Sequence, residues 1–414
     1  MGLRVACAGI CLAIVAAAAS AEDGRTAAFE QRFEADVARR AADAFGLELG
    51  VDAALRDVAR EVASMHADGI EVDTHEFVRQ AGSARGVLDP FPYVFFGTAP
   101  AARLSDLQRQ LVDNLRRMSI EERRLYTHFA CGVVQARRRS PFGPRRLHVA
   151  VLLSQRALSF TPLPTEPRPG DRFLFDGEVH RPFREPQVFV TWPDGRAVEL
   201  DNLALEPGRF RAWIRLDHGA GEYQIEVLGR YDLGPRVLGL GSVYARDAGE
   251  ATPHERFVAA ARRGDVVQRR PAPPHHAEPQ TVAEAERRLF EIVNRDRRRA
   301  GLRRLTADST LAGMARAHSR DMCERGFFAH VSPRTGRLVE RAANVKLRFQ
   351  RLAENIAVHS DVDEAEAALL RSPGHRKNIL DPDFTHVGVG VAFATDPDGA
   401  RRVYVTQNFM IPAP

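Results

Sequence analysis

The chain repeats a stretch of its own sequence at a distance, and this limits the folds open to it. Residues 49–60 read LGVDAALRDVAR and residues 305–316 read LTADSTLAGMAR, with Leu, Asp, Leu, Ala and Arg coinciding at an offset of 256. Further on, THFACGVV at 127–134 faces THVGVGVA at 385–392, at an offset of 258. Arg145-Arg146 and Arg401-Arg402 precede strand-like runs at an offset of 256 again. A near-constant offset over so long a span reads as a duplication, so both ends should share one framework of helices and strands. Helix spacing recurs over residues 27–62 (Phe29, Phe33, Val37, Leu55, Val58, Ala59, Val62) and over 104–125, while 146–154 (RLHVAVLLS) reads as a buried strand.

Between the copies the texture changes. The segment PLPTEPRPG marks a domain edge, and the runs FLFDGEV, PQVFVTW, RFRAWIRL and GEYQIEVLG follow, separated by Pro-Asp-Gly, Glu-Pro-Gly and Gly-Ala-Gly turns. Phe210, Ala212, Ile214 and Leu216 alternate as a half-buried strand does. Residues 163–245 therefore read as a small all-β sandwich, similar to the immunoglobulin-like modules of secreted bacterial proteins. Trp192 and Trp213 fall within its strands, where core packing is the default. Residues 264–280 form a Pro-rich linker, and its His275-His276 pair reads as solvated for lack of other ligands nearby in sequence.

Destination is legible at the start. Arg4, an apolar run from Val5 to Ala19, and Ala19-Ser20-Ala21 make a secretory signal peptide over 1–21, with cleavage near Ala21 into the periplasm or beyond. No later run is long and apolar enough to span a membrane. The net charge of +5 is almost all arginine, since the only lysines are Lys346 and Lys377. The 54 acidic residues are interspersed with the basic ones, which argues against a nucleic-acid partner. Beyond the signal only Cys131 and Cys323 remain, so there is no disulfide framework, and two lone buried thiols are expected.

The C-terminal region carries VNRDRRRAGLRRLTADSTL, ARAHSRDM, FFAHVSPRTG, LAENIA, SPGHRKNIL, GVGVAF and YVTQNF, in that order. In these landmarks it resembles the bacterial branch of the CAP superfamily (SCP or PR-1-like domains: cysteine-rich secretory proteins, antigen 5, pathogenesis-related 1). The resemblance implies an α-β-α sandwich over 281–414 and, through the repeat, a degenerate CAP-like α-β-α domain over 27–160. The whole chain is then a multidomain α+β protein. The resemblance also implies a cleft of two His and two Glu. His330, Glu354 and His375 match three positions; Ser372 stands where the second Glu is expected, and Glu364 and Glu366 lie upstream, off register. The first copy has no counterpart of Glu354 or His375.

Chemically, two imidazoles hold a divalent ion such as zinc weakly and exchangeably, and a nearby carboxylate can orient or deprotonate a bound water. The alternative is that His330, Glu354 and His375 form a polar network fixing loops around a solvent-open cleft. Asn355, Ser372 and His318 complete the candidate binding cleft, with His318 also readable as a satisfied histidine at a helix–sheet boundary. No H-E-x-x-H helix or nucleophile elbow occurs. The expected function is a non-enzymatic binding module for a lipid, a cell-wall glycan or a protein. The alternative is a metal-assisted hydrolase with His330 and His375 as ligands and Glu354 as general base.

Overall fold

A computed structural model of the chain describes residues 26–70, 74–83, 85–90, 92–118, 120–135, 146–263, 279, 281–395 and 401–414. The segment 1–21, read above as a signal peptide, and the 264–280 segment with His275 and His276 lie outside the described residues apart from Pro279. The chain divides into two compact units, Met1–Arg156 with Phe257–Asp265 and Ala157–Arg256 with Val266–Pro414. The middle segment and the C-terminal region thus share one unit.

The first unit opens with helix α1 over 26–45, followed by β1 (Gly50–Val51), α2 (Ala53–Ala67), α3 (Thr74–Ser83), β2 (Tyr93–Pro100), α4 (Leu104–Arg117), α5 (Ile120–Leu125), β3 (His128–Gln135) and β4 (Arg146–Ser154). Asp52 starts α2 by accepting the Leu55 amide at 2.8 Å, a cap worth about 1 kcal/mol. The sheet order is β1-β3-β4-β2, with β1 parallel to β3 and the other pairs antiparallel. Phe33, Val37, Leu111, Leu115, Phe129, Val149 and Val151 fill the core. Helix α2 lies so close to β3 that a Cβ on Gly132 would enter the backbone of Ala59 and Arg60. Two acids of α1 tie this layer down. Glu30 receives Arg60 Nε at 2.9 Å and the Val133 amide at 2.9 Å, and Glu34 receives Arg56 Nε and the Cys131 amide, both at 3.0 Å.

In the second unit, β5 (Leu158–Phe160), β6 (Arg172–Val179), β7 (Arg184–Thr191), β8 (Ala197–Glu199), β9 (Ala204–Glu206), β10 (Arg209–Arg215), β11 (Gly221–Tyr231) and β12 (Gly234–Ala245) make two four-stranded antiparallel sheets, ordered β5-β6-β10-β9 and β12-β11-β7-β8. The alternation read at Phe210, Ala212 and Ile214 buries all three. It also places Trp213 on the opposite phase, so Trp213 is 46% exposed rather than in the core, with Arg172 over its ring. Trp192 stacks on His218 at a centroid distance of 3.4 Å. Helix α6 (Pro253–Arg263) follows, and from Phe257 onward it belongs to the first unit.

The C-terminal region comprises α7 (Val282–Arg299), β13 (Thr306–Ala307), α8 (Ser309–Arg325), α9 (Leu338–Asn344), β14 (Phe349–His359), α10 (Val362–Arg371), α11 (Pro373–Ile379), β15 (His386–Thr395) and β16 (Arg401–Pro412). Thr281 and Glu284 form a capping box at the start of α7. Gly326 ends α8 in the left-handed conformation at φ 67°, which glycine adopts without strain. The sheet order is β13-β15-β16-β14, again with one parallel pair, β13 with β15, and antiparallel pairs elsewhere. Leu289, Val293, Leu369, Val387, Val405 and Phe409 form part of its core. A Cβ on Gly390 would enter the backbone of Ala315 and Arg316. Glu286 receives Arg316 Nε at 2.7 Å and the Val391 amide at 3.3 Å. Cys131 and Cys323 are both free thiols, the first buried and the second half-buried. Among the described residues no helix is long and apolar enough to cross a membrane.

Candidate functional site

Three elements deliver the charged centre. His330 lies between α8 and the turn closed by the Ser332–Gly336 bridge, Arg341 projects from α9, and Glu354 sits within β14. His330 Nδ1 donates to Glu354 Oε1 at 3.0 Å, while Arg341 Nη2 donates to both carboxylate oxygens, at 2.9 and 2.8 Å, and to the His330 carbonyl at 3.0 Å. The Glu354 side chain is 4% exposed, which by itself would push its pKa up. The His330 hydrogen bond, together with the positive charge of Arg341, outweighs burial and brings it down to about 2. Glu354 is therefore a locked carboxylate at neutral pH. With Nδ1–H spent on Glu354, Nε2 of the neutral ring carries the lone pair.

His318 of α8 is fully enclosed. Its Nε2 donates to the Ala329 carbonyl at 3.0 Å and stands 4.0 Å from Glu354, and its Nδ1 has no partner among the described residues. Burial lowers its pKa to about 4 despite the nearby carboxylate, so the ring is neutral.

His375 lies in α11, and the Ser372 side chain caps that helix. Protein surrounds the imidazole closely, although the residue keeps some accessible surface. This enclosure, then the charge of His330, lowers its pKa to about 3. An ordinary imidazole titration near pH 6 therefore does not apply to His375. Its carbonyl accepts from Asn355 Nδ2 at 3.1 Å. Asn355 is wholly buried and also donates to Gln407 Oε1, at 3.1 Å, while accepting from Asn378 Nδ2 at 2.9 Å. Gln407 in turn donates to Glu366, whose pKa burial raises to about 8. A continuous polar chain thus runs behind the histidines, and Glu366 anchors it from α10.

His330 and Glu354 are hydrogen-bonded, and a positive charge on His330 would act against protonation of His375. The expected openness does not hold for the carboxylate: Glu354 is buried beneath Arg341 and His330. Ser372 also faces away from solvent. It is 6% exposed and donates to Glu226 of β11, and the Gly374 amide donates to the same carboxylate at 2.8 Å.

Glu226 is the residue that sequence reasoning missed. It is fully buried, and burial raises its pKa to about 7 against the two hydrogen bonds that favour its charged form. The approach is tight enough that a Cβ on Gly374 would stand 2.6 Å from Glu226 Oε1. Further contacts hold the β segment here. The Val331 amide donates to the Leu233 carbonyl at 2.9 Å, Arg376 Nε donates to the Gly195 carbonyl at 2.6 Å, and Lys377 reaches Glu199 at 3.1 Å. Gly234, at φ +107° in the β11–β12 turn, would place a Cβ 3.0 Å from the His330 Cβ. The β segment thus forms a wall beside the histidines.

Among the described residues no group of three or more His, Cys, Asp or Glu is disposed to hold a metal ion.

Residues 290–409 match the model of the cysteine-rich secretory protein family, CAP. Two curated relatives, both from Bacillus subtilis strain 168, are similar to this region. An uncharacterized protein, YkwD, is 39% identical over 113 residues, 27% of this chain and 44% of its own. An uncharacterized membrane protein, YlbC, is 39% identical over 127 residues, 30% of this chain and 34% of its own. The chain spans less than half the length of each. Among solved structures, an extracellular SCP-domain protein of Bacillus anthracis is 26% identical, covering 51% of this chain and 67% of that one, with a TM-score of 0.29. An outer surface protein of Borrelia burgdorferi is 19% identical, covering 31% and 94%, with a TM-score of 0.27. With the family's sequence match spanning α7 to β16, residues 290–409 are a CAP domain of the cysteine-rich secretory protein family.

Proposed function

We propose that this chain is an exported, non-enzymatic binding protein whose CAP cleft has His330 and His375 nearest its surface, with the buried Glu354, Asn355, Ser372 and His318 holding them from behind, and contacts a lipid, glycan or protein of the cell envelope. The observation that carries the reading is the state of Glu354. Both its oxygens are committed to Arg341 and His330, and its pKa lies near 2. A carboxylate so far below neutrality is a poor proton acceptor, whereas general bases work best with a pKa near the operating pH. His330 and His375 would hold a divalent ion such as zinc weakly, as a structural or ligand-bridging group.

In the same reading residues 27–160 are a degenerate CAP-like copy and residues 163–245 an immunoglobulin-like β-sandwich. Shared strand order, the equivalent glycines Gly132 and Gly390, and the equivalent acids Glu30 and Glu286 support the duplication. The apolar run before Ala21 supports export.

The test uses the purified full chain, with and without Zn²⁺, against peptide, ester and glycan substrates, alongside mass spectrometry of co-purifying lipids and glycans. The expected outcome is silence in every assay, with a bound ligand that His330→Ala/His375→Ala releases. Metal-dependent turnover abolished by His375→Ala would replace this reading with hydrolysis.

A further inference from the structure

The first unit carries a histidine pair of its own, away from the CAP cleft. His66 lies in the last turn of α2, and His148 and Thr98 face each other across the β2–β4 ladder. Thr98 Oγ1 stands 3.3 Å from His66 Nε2 and 3.2 Å from His148 Nδ1, so one ring nitrogen of each histidine is directed at the same hydroxyl. The ring centroids are 5.3 Å apart with an edge-on tilt of 69°, and the ring of Phe96, 49% exposed, packs 5.0 Å from His66. All three polar residues are half-buried, so the pair is held in place yet reached by solvent.

The same place in the CAP domain shows what a purely structural solution looks like. By strand register and helix position, Met322, Val358 and Tyr404 stand where His66, Thr98 and His148 stand in the first unit. There they form a small apolar cluster with Ile356 and Ala392. Two imidazoles and a hydroxyl are a poor substitute for packing, since burying unsatisfied polar groups costs stability. They are a good start for a metal site, because neutral imidazole is the commonest transition-metal ligand.

We propose that His66 Nε2 and His148 Nδ1 together bind a borderline divalent transition ion, Cu²⁺ or Zn²⁺, with the Thr98 hydroxyl as a weak third donor or displaced. Thr98 has a single hydroxyl hydrogen and donates to one of the two nitrogens at a time; binding an ion takes both rings in the tautomer that leaves His66 Nε2 and His148 Nδ1 unprotonated, and the hydroxyl gives up its hydrogen bond. The local charges are balanced. Arg146 donates to the Thr98 carbonyl at 3.4 Å and its charge acts against a cation, whereas the exposed carboxylate of Asp68 acts on His148 in favour of one. Two protein ligands with open remaining positions give an exchangeable site, with Cu²⁺ held more tightly than Zn²⁺.

The experiment is carried out on the full chain in the His330→Ala/His375→Ala background, so that the CAP cleft does not contribute. Zn²⁺ is titrated by calorimetry, and Cu²⁺-loaded protein is examined by electron paramagnetic resonance for imidazole nitrogen couplings. The expected result is one ion per chain with two coupled nitrogens. His66→Gln and His148→Gln should each weaken binding by about tenfold or more, and Thr98→Ala should leave it in place. Circular dichroism checks that each variant is folded, with His66→Asn replacing His66→Gln if that variant is not. Zinc uptake unchanged in both histidine variants, or a copper spectrum without two imidazole nitrogens, would overturn the proposal.

Discussion

The two ends of this protein carry one scaffold with two different fillings. In each, a two-residue strand pairs in parallel with the strand after Thr-His, at Gly50 with His128 and at Thr306 with His386. In each, an aspartate caps the next helix, and a glycine in the central strand lets that helix rest on the sheet backbone. Opposite those glycines, however, Ala150 of the first sheet stands where Thr406 stands in the second. The neighbouring pairs differ in the same way. Phe95 faces Val151 where Asn355 faces Gln407, and Val94 faces Leu152 where Glu354 faces Asn408. Val62 and Ala63 replace His318 and Ser319 on the packed helix. The backbone geometry therefore does not require the polar network, since an apolar set fills the same register. The buried Asn355, Gln407, Asn408 and His318 are therefore a property of the CAP domain's own sequence and not of the shared scaffold.

The comparison would break most visibly at the charged centre. Glu354→Gln leaves Arg341, 5% exposed, without its counter-charge and should destabilise the second unit by about 3–5 kcal/mol. Glu354→Gln/Arg341→Met should recover much of that loss, because the pair is coupled. Urea denaturation of Glu354→Gln, Arg341→Met and the double variant checks this; additive losses would mean the ion pair is incidental. Next in size come the glycines. Gly132→Ala and Gly390→Ala both drive a methyl group into helix backbone, and each should cost about 3 kcal/mol or more in its own unit. Unit-resolved hydrogen exchange would show whether the two losses match, and a tolerated Gly132→Ala would break the equivalence of the copies.

Glu226 predicts a pH effect in the second unit alone. Its pKa is raised from 4.5 to about 7, so the folded state holds its proton more tightly than the unfolded chain. The resulting stability is complete below pH 4.5 and is lost as pH rises through about 7. Wild type should therefore weaken relative to Glu226→Gln across that window, by roughly 2–3 kcal/mol at its alkaline end. Parallel stability–pH curves for the two proteins would contradict it. The smallest effect concerns the caps. Asp308→Ala should cost about 1 kcal/mol. Asp52→Ala should cost more, because Asp52 also receives Arg156. Thermal unfolding of both variants gives the difference.

Much of this was legible in the sequence because it is local or repeated. The strand over 146–154 is β4, and the helical spacing of Leu55, Val58, Ala59 and Val62 is the buried face of α2. His330, Glu354 and His375 stood out because each belongs to a motif. Arg341 did not: it is one of many arginines, and its only signal is that its position on α9 is buried beside Ala342. Glu226 was hidden for a different reason. It sits on a strand between Ile225 and Val227, both fully buried, and its partners follow 146 and 148 residues later. No pattern within a window connects residues that far apart. Trp213 was misread because aromatic residues are usually packed, although the alternation of its own strand already placed it outside.

The carboxylate of Glu226 also bears on how the CAP domain comes into being. A ribosome delivers Glu226 well before Ser372 and Gly374, so the β segment can be complete while the loop that will meet it is still unsynthesised. The later loop then settles onto an acceptor already in place, and the earlier segment serves the later one as a template. The natural seam for excising a working CAP domain therefore lies before β5, not at the start of α7. Cut at α7, the fragment would present the Ser372 hydroxyl and the Gly374 amide to water, with nothing to hold the turn that carries His375.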